Sequence, residues 1–363
     1  MKDHTHICRS FCLLALCFCF LYGKAQQTKL LTAEKHNEYG LVYSLPVTSF
    51  QIDIVVLKEV RVTGPFSKYS KIFTGDSEVI MESEEKWAIE SVRVSPFGIP
   101  DTEETYLMQL KAGATTFIGV DEDGMLLSIN KEPVYSDISP LTVNLIDGEV
   151  TTGKEYLEFV NEDFTSAIST FKKAQILADE IQEIREAKIS LTRGTAETMP
   201  TDGRQLEIML QALEKQEKAL TRAFTGNSWK ERIVKSFTFT PEAEGKTIVC
   251  KLNEKEGLTD GNNKEGIPVS VTVSLVAEPE LPVDAKGEEK KLPKDAVIYA
   301  VPGTAKLSLS VANKILFEKD YQMSQFGFRF GLNPSIFTDK KEPSFAIFDP
   351  TTGALKELGT IKP

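Results

Sequence analysis

The side chains that perform most familiar active-site chemistry are scarce in this sequence. Three of its 363 residues are histidine and five are cysteine, and after position 25 only His36 and Cys250 remain. A Ser–His or Cys–His pair would have to use His36, and Gly75-Asp76-Ser77 lacks the second glycine of a nucleophile elbow. Cys250 alternates with Ile248 and Leu252, as a residue of a strand core does. The sequence therefore identifies no catalytic residue and leans against an enzyme.

Metal and cofactor sites are also poorly supported. Soft and borderline metals prefer Cys and His ligands, and one of each remains after position 25. Oxygen ligands for calcium occur at Asp121-Glu122-Asp123-Gly124 and at Asp260-Gly261-Asn262-Asn263, but neither stretch has the spacing of a twelve-residue calcium loop. Both stretches are typical of turns. No glycine-rich phosphate loop is present, so we predict neither a metal nor a cofactor.

Acidic side chains are the abundant reactive groups, with 53 Asp and Glu residues against 42 Lys and Arg. Glycosidases use two carboxyl groups that face each other across a cleft, at a separation that a sequence does not specify. Trp87 and Trp229 could stack on a sugar, although tryptophans in strand contexts usually fill a core. A carboxylate-based glycan hydrolase is therefore an alternative function. The net charge of −11 argues against binding to nucleic acid or to anionic membrane surfaces.

The first 25 residues have the pattern of a secretory signal peptide. Lys2 and Arg9 precede an apolar run from Phe11 to Tyr22 that is too short to span a bilayer, and Gly23-Lys24-Ala25 supplies small residues for cleavage. We expect an exported protein that is periplasmic, outer-membrane-associated or extracellular and has no transmembrane segment after signal removal. Because Cys250 is then its only cysteine, it would contain no internal disulfide.

The elements that must position any site begin with a helical hairpin, predicted from Phe164 to Phe224. Apolar residues at steps of three and four give each helix one side to bury. The first stripe contains Phe164, Ile168, Phe171, Ile181, Ile184 and Leu191, and the second contains Leu206, Leu210, Leu213, Leu220 and Phe224. Asp202 is the expected N-cap of the second helix, with Gln205 three positions later. We expect both stripes to be packed within the chain.

Alternating apolar residues predict antiparallel strands on both sides of this hairpin. Before it, the run from Phe50 to Val62 alternates, and two further runs flank a tight turn at Asp123-Gly124. After it, six or seven short strands follow, of which Phe345–Phe348 is expected to pair with Ala354–Leu358.

The predicted fold class is α+β, with two antiparallel β domains, the C-terminal one sandwich-like, and a long helical hairpin between them. We predict a signal peptide at residues 1–25, an N-terminal β domain at 26–160, the helical hairpin at 161–226 and a C-terminal β-sandwich at 227–363.

Four motifs, taken in order, resemble a known family. They are Tyr43-Ser44-Leu45-Pro46, the run from Ile89 to Asp101, the helical Ile184-Arg185-Glu186 with Leu191-Thr192-Arg193-Gly194, and Asp349-Pro350-Thr351-Thr352-Gly353-Ala354-Leu355-Lys356. With them the chain resembles an uncharacterised domain-of-unknown-function family of exported Bacteroidales proteins. The resemblance implies export into a Gram-negative envelope, and it implies no activity, ligand or catalytic residue.

The leading functional hypothesis is a non-enzymatic binding or interaction module of the cell envelope, with a protein or glycan partner. It rests on the scarcity of catalytic groups and on a helical arm between two β modules. One alternative is the carboxylate-based glycan hydrolase, which requires a concave site with two facing carboxylates. The other is a structural or assembly protein that uses the hairpin, which predicts an oligomer in solution.

Overall fold

A computed structural model describes residues 40–109, 117–135, 138–283, 286, 289–291, 293, 296–312, 314–339 and 341–361. The strands are β1 Gly40–Val62, β2 Glu84–Gln109, β3 Ile118–Val120, β4 Leu126–Ile129, β5 Ile146–Asp147, β6 Asn227–Phe239, β7 Gly245–Asn253, β8 Gly257–Asp260, β9 Ile267–Ala277, β10 Val297–Val311, β11 Lys314–Leu332, β12 Ser344–Phe348 and β13 Leu355–Thr360. The helices are α1 Ser70–Phe73, α2 Glu162–Ser166, α3 Thr170–Arg193 and α4 Gly203–Thr225. Short 3₁₀ turns occur at Ser67–Tyr69, Glu155–Phe159 and Pro334–Thr338. The predicted signal peptide and His36 lie outside the described residues.

The strands form three sheets, and their ladders are antiparallel. The first sheet has the order β2-β1-β6-β5, the second β11-β10-β9-β7-β8 and the third β13-β12-β4-β3. Helices α3 and α4 lie in sequence between β5 and β6, which both belong to the first sheet, and the strands of the second sheet follow. The predicted α+β class is therefore confirmed, and so is the pairing of Phe345–Phe348 with the strand that follows it.

The first and third sheets join strands from both sides of the hairpin. In the first sheet, β1 pairs with β2 along one edge and with β6, from beyond the hairpin, along the other. In the third sheet, β12 pairs with β4. Strands on the two sides of the predicted boundaries at residues 160 and 227 thus belong to the same sheets. An alternating pattern indicates which face of a strand is buried, and it does not specify the neighbouring strand.

The largest core lies between the first and second sheets. From β1, Phe50, Ile52, Ile54 and Val56 are at most 1% exposed. Their partners in the second sheet are Cys250, Leu258, Val269, Val271, Val273, Ala305, Leu307, Leu309 and Met323. Two sheets packed through their apolar faces form a sandwich. Each large apolar side chain buried there stabilises the fold by roughly 1.5–3 kcal/mol relative to an exposed one. The sandwich therefore uses an N-terminal strand as the centre of one of its layers.

A second core joins the third sheet to the ends of β1 and β10. Tyr43 and Ile298 lie in it together with Phe348. The Tyr43 hydroxyl donates to the Ile298 carbonyl at 3.0 Å and accepts from the Ile298 N–H at 2.8 Å. Burial raises the pKa of Tyr43, so this hydroxyl remains protonated and fixes β1 to β10.

The third core belongs to the helical hairpin. Its buried members are Phe66, Phe164, Ala174, Leu177, Ala178, Ile181, Ile184, Leu220, Ala223 and Phe224. Phe66 comes from the connection between β1 and β2, so this core attaches the hairpin to the first sheet. Asp202 is the N-cap of α4, as predicted, because its carboxylate accepts the Gln205 N–H at 2.8 Å. Gly194 ends α3 in the left-handed conformation that glycine adopts most easily.

The predicted stripe of the first helix is wrong at Ile168 and Phe171, which are 102% and 50% exposed. The helix is interrupted there, because Ala167 and Ser169 have extended backbone angles and Ser169 caps a new helix through the Lys172 N–H at 3.1 Å. The break changes the rotational phase between α2 and α3. Phe164 therefore remains in the core while the next two apolar side chains face solvent.

Candidate functional site

A groove opens where the end of β1 and the start of β2 meet the turn between β7 and β8. Its volume is about 520 Å³. It is lined by Leu57, Glu59, Glu84, Glu85, Lys86, Trp87, Ala88 and Glu254. Four of these eight side chains are carboxylates and one is a cation, so the groove has a negative lining.

The antiparallel register of β1 and β2 brings most of these groups together. Lys58 lies opposite Trp87, and Glu59 lies opposite Lys86. Successive side chains of a strand point to opposite faces, so the charged residues alternate between the two faces of this ribbon. Glu254 comes from the turn that joins β7 to β8. The groove is thus formed by packing of the two sheets.

Trp87 is fixed by contacts with Lys58, Gly257 and the main core. The Lys58 ammonium lies 5.4 Å from the centre of its ring, within the range of a cation–π interaction. Gly257 has φ of +75° and lies so close that an added Cβ would come within 2.7 Å of the indole carbons. Trp87 also packs against the main core. Its ring is therefore part of the wall of the groove and is not a free stacking platform for a sugar.

The indole N–H of Trp87 is buried and has no hydrogen-bond partner in the described part of the chain. Unpaired buried donors are uncommon and usually mark a place where water or a ligand completes the pairing. The second tryptophan differs, because the Trp229 N–H donates to the Glu231 carboxylate at 2.7 Å. Trp229 is 8% exposed and does not line the groove.

The carboxylates of the groove fall into two classes. Glu84 accepts from Lys86 at 2.9 Å and from Arg61 at 3.1 Å, and these hydrogen bonds hold its pKa below the usual value. Glu85 pairs with Lys58 at 3.1 Å. The carboxylates of Glu59 and Glu254 have neither a hydrogen bond nor an ion pair to any described residue, although Lys86 and Lys230 lie opposite Glu59 on the two neighbouring strands. The groove thus presents two unpaired negative charges.

The stretches considered for calcium form turns. The Asp121 carboxylate accepts the N–H groups of Asp123 at 3.1 Å and Met125 at 2.8 Å, and Gly124 has φ of +80°. The Asn263 N–H donates to the Asp260 carbonyl at 3.0 Å. Within the residues that the structure describes, no three His, Cys, Asp or Glu side chains are grouped to hold a metal ion.

Cys250 is fully buried in the main core. Burial raises the pKa of its thiol to about 12, although the charge of Lys235 acts in the opposite direction. A thiol with such a pKa is not a nucleophile near neutral pH.

Two polar clusters outside the groove were not anticipated from the sequence. The first is on the outer face of β1, where Asp53 is 1% exposed. Arg93 donates to one of its oxygens from Nη2 at 2.6 Å and from Nε at 3.0 Å. Ser236 and Gln51 donate to the other oxygen at 2.5 Å and 3.0 Å. Both carboxylate oxygens are therefore satisfied, and the cluster ties β1 to β2 and β6.

The second cluster joins β1 to β11 around Thr48. Its N–H donates to Ser324 Oγ at 3.2 Å, and the Ser324 N–H donates to Thr48 Oγ1 at 3.1 Å. The Gln325 side-chain amide donates to the Thr48 carbonyl at 2.9 Å. Thr48 Oγ1 also donates to the Thr351 carbonyl at 3.2 Å. These exchanges satisfy buried backbone groups, which indicates a structural role.

The motifs that carry the family resemblance meet next to this cluster. Gly98, in the second motif, packs so closely on the Pro350 carbonyl, in the fourth, that no Cβ would fit, and Pro46 of the first motif lies beside it. Gly353 has φ of +70° and packs against the Pro46 ring. Three separate motifs thus form one junction between β1, β2 and the turn before β13.

Residues 39–356 match a family described as a domain of unknown function, DUF4831. The chain belongs to this family. Membership covers nearly all of the described residues and agrees with the resemblance drawn from the motifs, while the Bacteroidales source stays a prediction. No curated protein and no solved structure matches this DUF4831 chain. Its described helices include none with the length and apolar character needed to cross a bilayer.

Proposed function

We propose that this DUF4831 protein is a non-enzymatic binding module of the cell envelope and that the groove is its binding site. The observation that supports this most directly is the pair of unpartnered carboxylates, Glu59 and Glu254, in a groove of about 520 Å³. Each of these carboxylates can accept hydrogen bonds from a cationic group. The partner we propose is therefore a protein that presents lysine or arginine side chains to the groove.

A protein partner suits the groove better than a glycan. Sugar-binding sites commonly offer the open face of an aromatic ring, whereas the Trp87 ring is in contact with Lys58 and Gly257. The negative lining instead matches a positively charged side chain, and complementary charge gives specificity and fast association.

Binding also accounts for the electrostatics better than catalysis does. A glycosidase needs one carboxyl group with a raised pKa as general acid. In the groove, hydrogen bonds from Lys86 and Arg61 lower the pKa of Glu84 instead. Burial and then the nearby Glu183 raise the pKa of Glu180, but Glu180 lies on α3 and does not line the groove.

The envelope location is supported by the sequence alone. The basic start, short apolar run and small-residue end of residues 1–25 are the features of an exported precursor. Fractionation of cells, combined with N-terminal sequencing of the recovered protein, tests this part of the proposal. A mature chain that begins after Ala25 in an envelope or extracellular fraction supports it, and an intact Met1 in the cytoplasm contradicts it.

Peptide binding tests the groove. We expect the purified protein to bind a lysine-rich peptide and not a glutamate-rich peptide of the same length, as measured by fluorescence anisotropy. The double substitution Glu59→Gln/Glu254→Gln should weaken binding at least tenfold, because a hydrogen bond to a charged group contributes about 1.5–3 kcal/mol. Glu186→Gln/Glu214→Gln, which removes the same charge from exposed positions on the hairpin, is the matched control. Equal weakening by both double variants would refute a specific site.

A glycan hydrolase remains the second candidate, and one observation favours it. The groove collects four carboxylates, Glu59, Glu84, Glu85 and Glu254, in a single concave site. Release of reducing ends from envelope polysaccharides would reveal this activity. If the purified protein hydrolyses a glycan and either Glu59→Gln or Glu254→Gln abolishes turnover, catalysis replaces binding as the function.

A further inference from the structure

A cluster of apolar side chains, three exposed and two partly buried, lies where α1 meets the start of α3. We name it the aromatic tip, and it consists of Tyr69, Ile72, Phe73, Ile168 and Phe171. The Phe171 ring lies 5.1 Å from that of Phe73 and 5.8 Å from that of Tyr69, measured between centroids. Ile72 is 68% exposed, Ile168 102% and Phe171 50%. These large apolar groups are presented to solvent together on two adjoining elements.

The base of the aromatic tip is firmly packed. Phe66 precedes α1 and contacts both Phe164 and Phe224, with ring centroids 6.1 Å and 5.8 Å away. The Phe66 N–H donates to the Ala223 carbonyl at 2.9 Å. Gly64 packs so tightly against the end of α4 that a Cβ would overlap the Ala223 carbonyl. The exposed side chains of the tip are therefore held by a well-packed region of the protein.

Lysines adjoin the residues of the aromatic tip in an otherwise acidic protein. Lys68, Lys71 and Lys172 are exposed and adjoin tip residues in sequence, and Lys173 lies over the Phe164 ring at 5.2 Å. The stretches 67–74 and 168–174, which form this region, contain no acidic residue. The chain as a whole has a net charge of −11, so this local positive charge runs against the composition.

We propose that the aromatic tip inserts into the surface of a bilayer that contains anionic phospholipids, with the surrounding lysines at the headgroup phosphates. Exposed aliphatic and aromatic side chains next to lysines are the arrangement by which peripheral proteins hold a membrane surface. The fully exposed Ile168 is a protrusion, and a protein partner would need a matching cavity, whereas fluid acyl chains adapt to it. The proposal is independent of the groove.

The overall acidity then sets the orientation of the protein on the membrane. An anionic surface repels the acidic body and attracts the lysines, so only an approach through the aromatic tip is favourable. Because this attraction acts over a Debye length of about 8–10 Å, binding depends on salt. The expectation that net acidity excludes anionic membranes is thereby replaced by a prediction for one local surface.

Vesicle flotation tests the proposal directly. The purified protein should float with vesicles of phosphatidylcholine and phosphatidylglycerol in equal parts, should not float with phosphatidylcholine alone, and should be released by high salt. Ile168→Ser/Phe171→Ser removes two apolar groups that are at least half exposed, and should reduce partitioning at least tenfold. Lys71→Glu/Lys172→Glu should reduce it by about 25-fold or more, since each lysine near an anionic surface contributes about fivefold.

Two matched controls separate the aromatic tip from general surface effects. Ile208→Ser/Met209→Ser removes exposed apolar groups from α4, and Lys246→Glu/Lys255→Glu reverses two exposed lysines elsewhere; both should partition like the wild type. The proposal is overturned if the wild type does not float with the mixed vesicles, or if tip and control variants behave alike. It is equally overturned if light scattering without vesicles shows a dimer that Ile168→Ser/Phe171→Ser dissociates, because the tip would then be an interface between two copies.

Discussion

Removal of the Arg93 side chain should destabilise the protein by about 2–3 kcal/mol, because it leaves the Asp53 carboxylate buried with one oxygen unpaired. Breaking a fully buried ion pair costs about 3–5 kcal/mol. The Arg93 side chain is 31% exposed, so water can reach the vacated space and the cost falls to about 2–3 kcal/mol, just below that range. Urea unfolding of Arg93→Ala and the wild type at neutral pH measures the difference. A loss below about 1 kcal/mol would show that the pair is screened like a surface pair.

The Asp53 cluster should also affect how the stability of the protein depends on pH in acid. Burial alone would raise the pKa of Asp53, but hydrogen bonds from Ser236, Gln51 and Arg93 and the Arg93 charge outweigh it, so the pKa is below the usual value. A carboxyl with a lowered folded-state pKa stabilises the protein above its unfolded pKa of about 3.9, and that stability is lost as the pH falls through the folded-state value. Asp53→Asn should therefore show a shallower loss of stability in acid. Parallel acid profiles for Asp53→Asn and the wild type would contradict the assignment.

Three further predictions concern packing. Cys250 should resist alkylation by iodoacetamide near pH 8 in the folded protein and react fully in denaturant, as followed by mass spectrometry, because its pKa is about 12. Gly98→Ala should cost at least about 2 kcal/mol in urea unfolding, since its Cβ would overlap the Pro350 carbonyl, whereas Gly203→Ala at the open start of α4 should be neutral or slightly stabilising. Phe224→Ala should cost about 3–5 kcal/mol by the same measurement, because it empties a fully buried site in the hairpin core.

Local patterns in the sequence were sufficient to place much of the secondary structure. The alternation from Phe50 to Val56 predicts a strand with one buried face, and those residues are the β1 contribution to the main core. Asp202 predicts the start of α4 because a carboxylate at this position pairs with free N–H groups of the first turn. Each of these features is decided by residues only a few positions apart.

Features that depend on distant residues could not be predicted in the same way. The pairing of β1 with β6 brings Phe50 opposite Phe239, and nothing in either strand specifies the other. The burial of Asp53 could not be predicted either, because an aspartate in an alternating strand normally faces water. Its partners Arg93 and Ser236 come from two different strands. The groove has the same origin, since Trp87 and Glu254 meet only after the two sheets pack.

For Ile168 and Phe171 the prediction of burial was wrong for a different reason. Their spacing matches a buried stripe, and the break at Ala167–Ser169 could have been suspected only from Ser169, a good N-cap residue within the run. A position that the sequence pattern predicts to be buried, but whose side chain is exposed in the structure, is often part of a functional surface. The exposure of these two apolar side chains, together with the neighbouring lysines, supports a functional role for the aromatic tip.

The aromatic tip and the groove are neighbours in the chain, and this connects the two proposals. Strand β1 ends at Val62 beyond the groove residue Glu59, and the connection that follows contains α1 and three of the five tip residues before β2 begins at Glu84. A membrane held by the tip carries a negative surface potential, which extends over a Debye length of about 8–10 Å. Cations concentrate at such a surface, so lysine-rich segments lying along the bilayer are the partners that the groove would meet most often. Binding of the lysine-rich peptide should consequently be tighter when the protein is on anionic vesicles than in free solution, unless the peptide is sequestered by the lipid itself, which vesicles without protein would reveal.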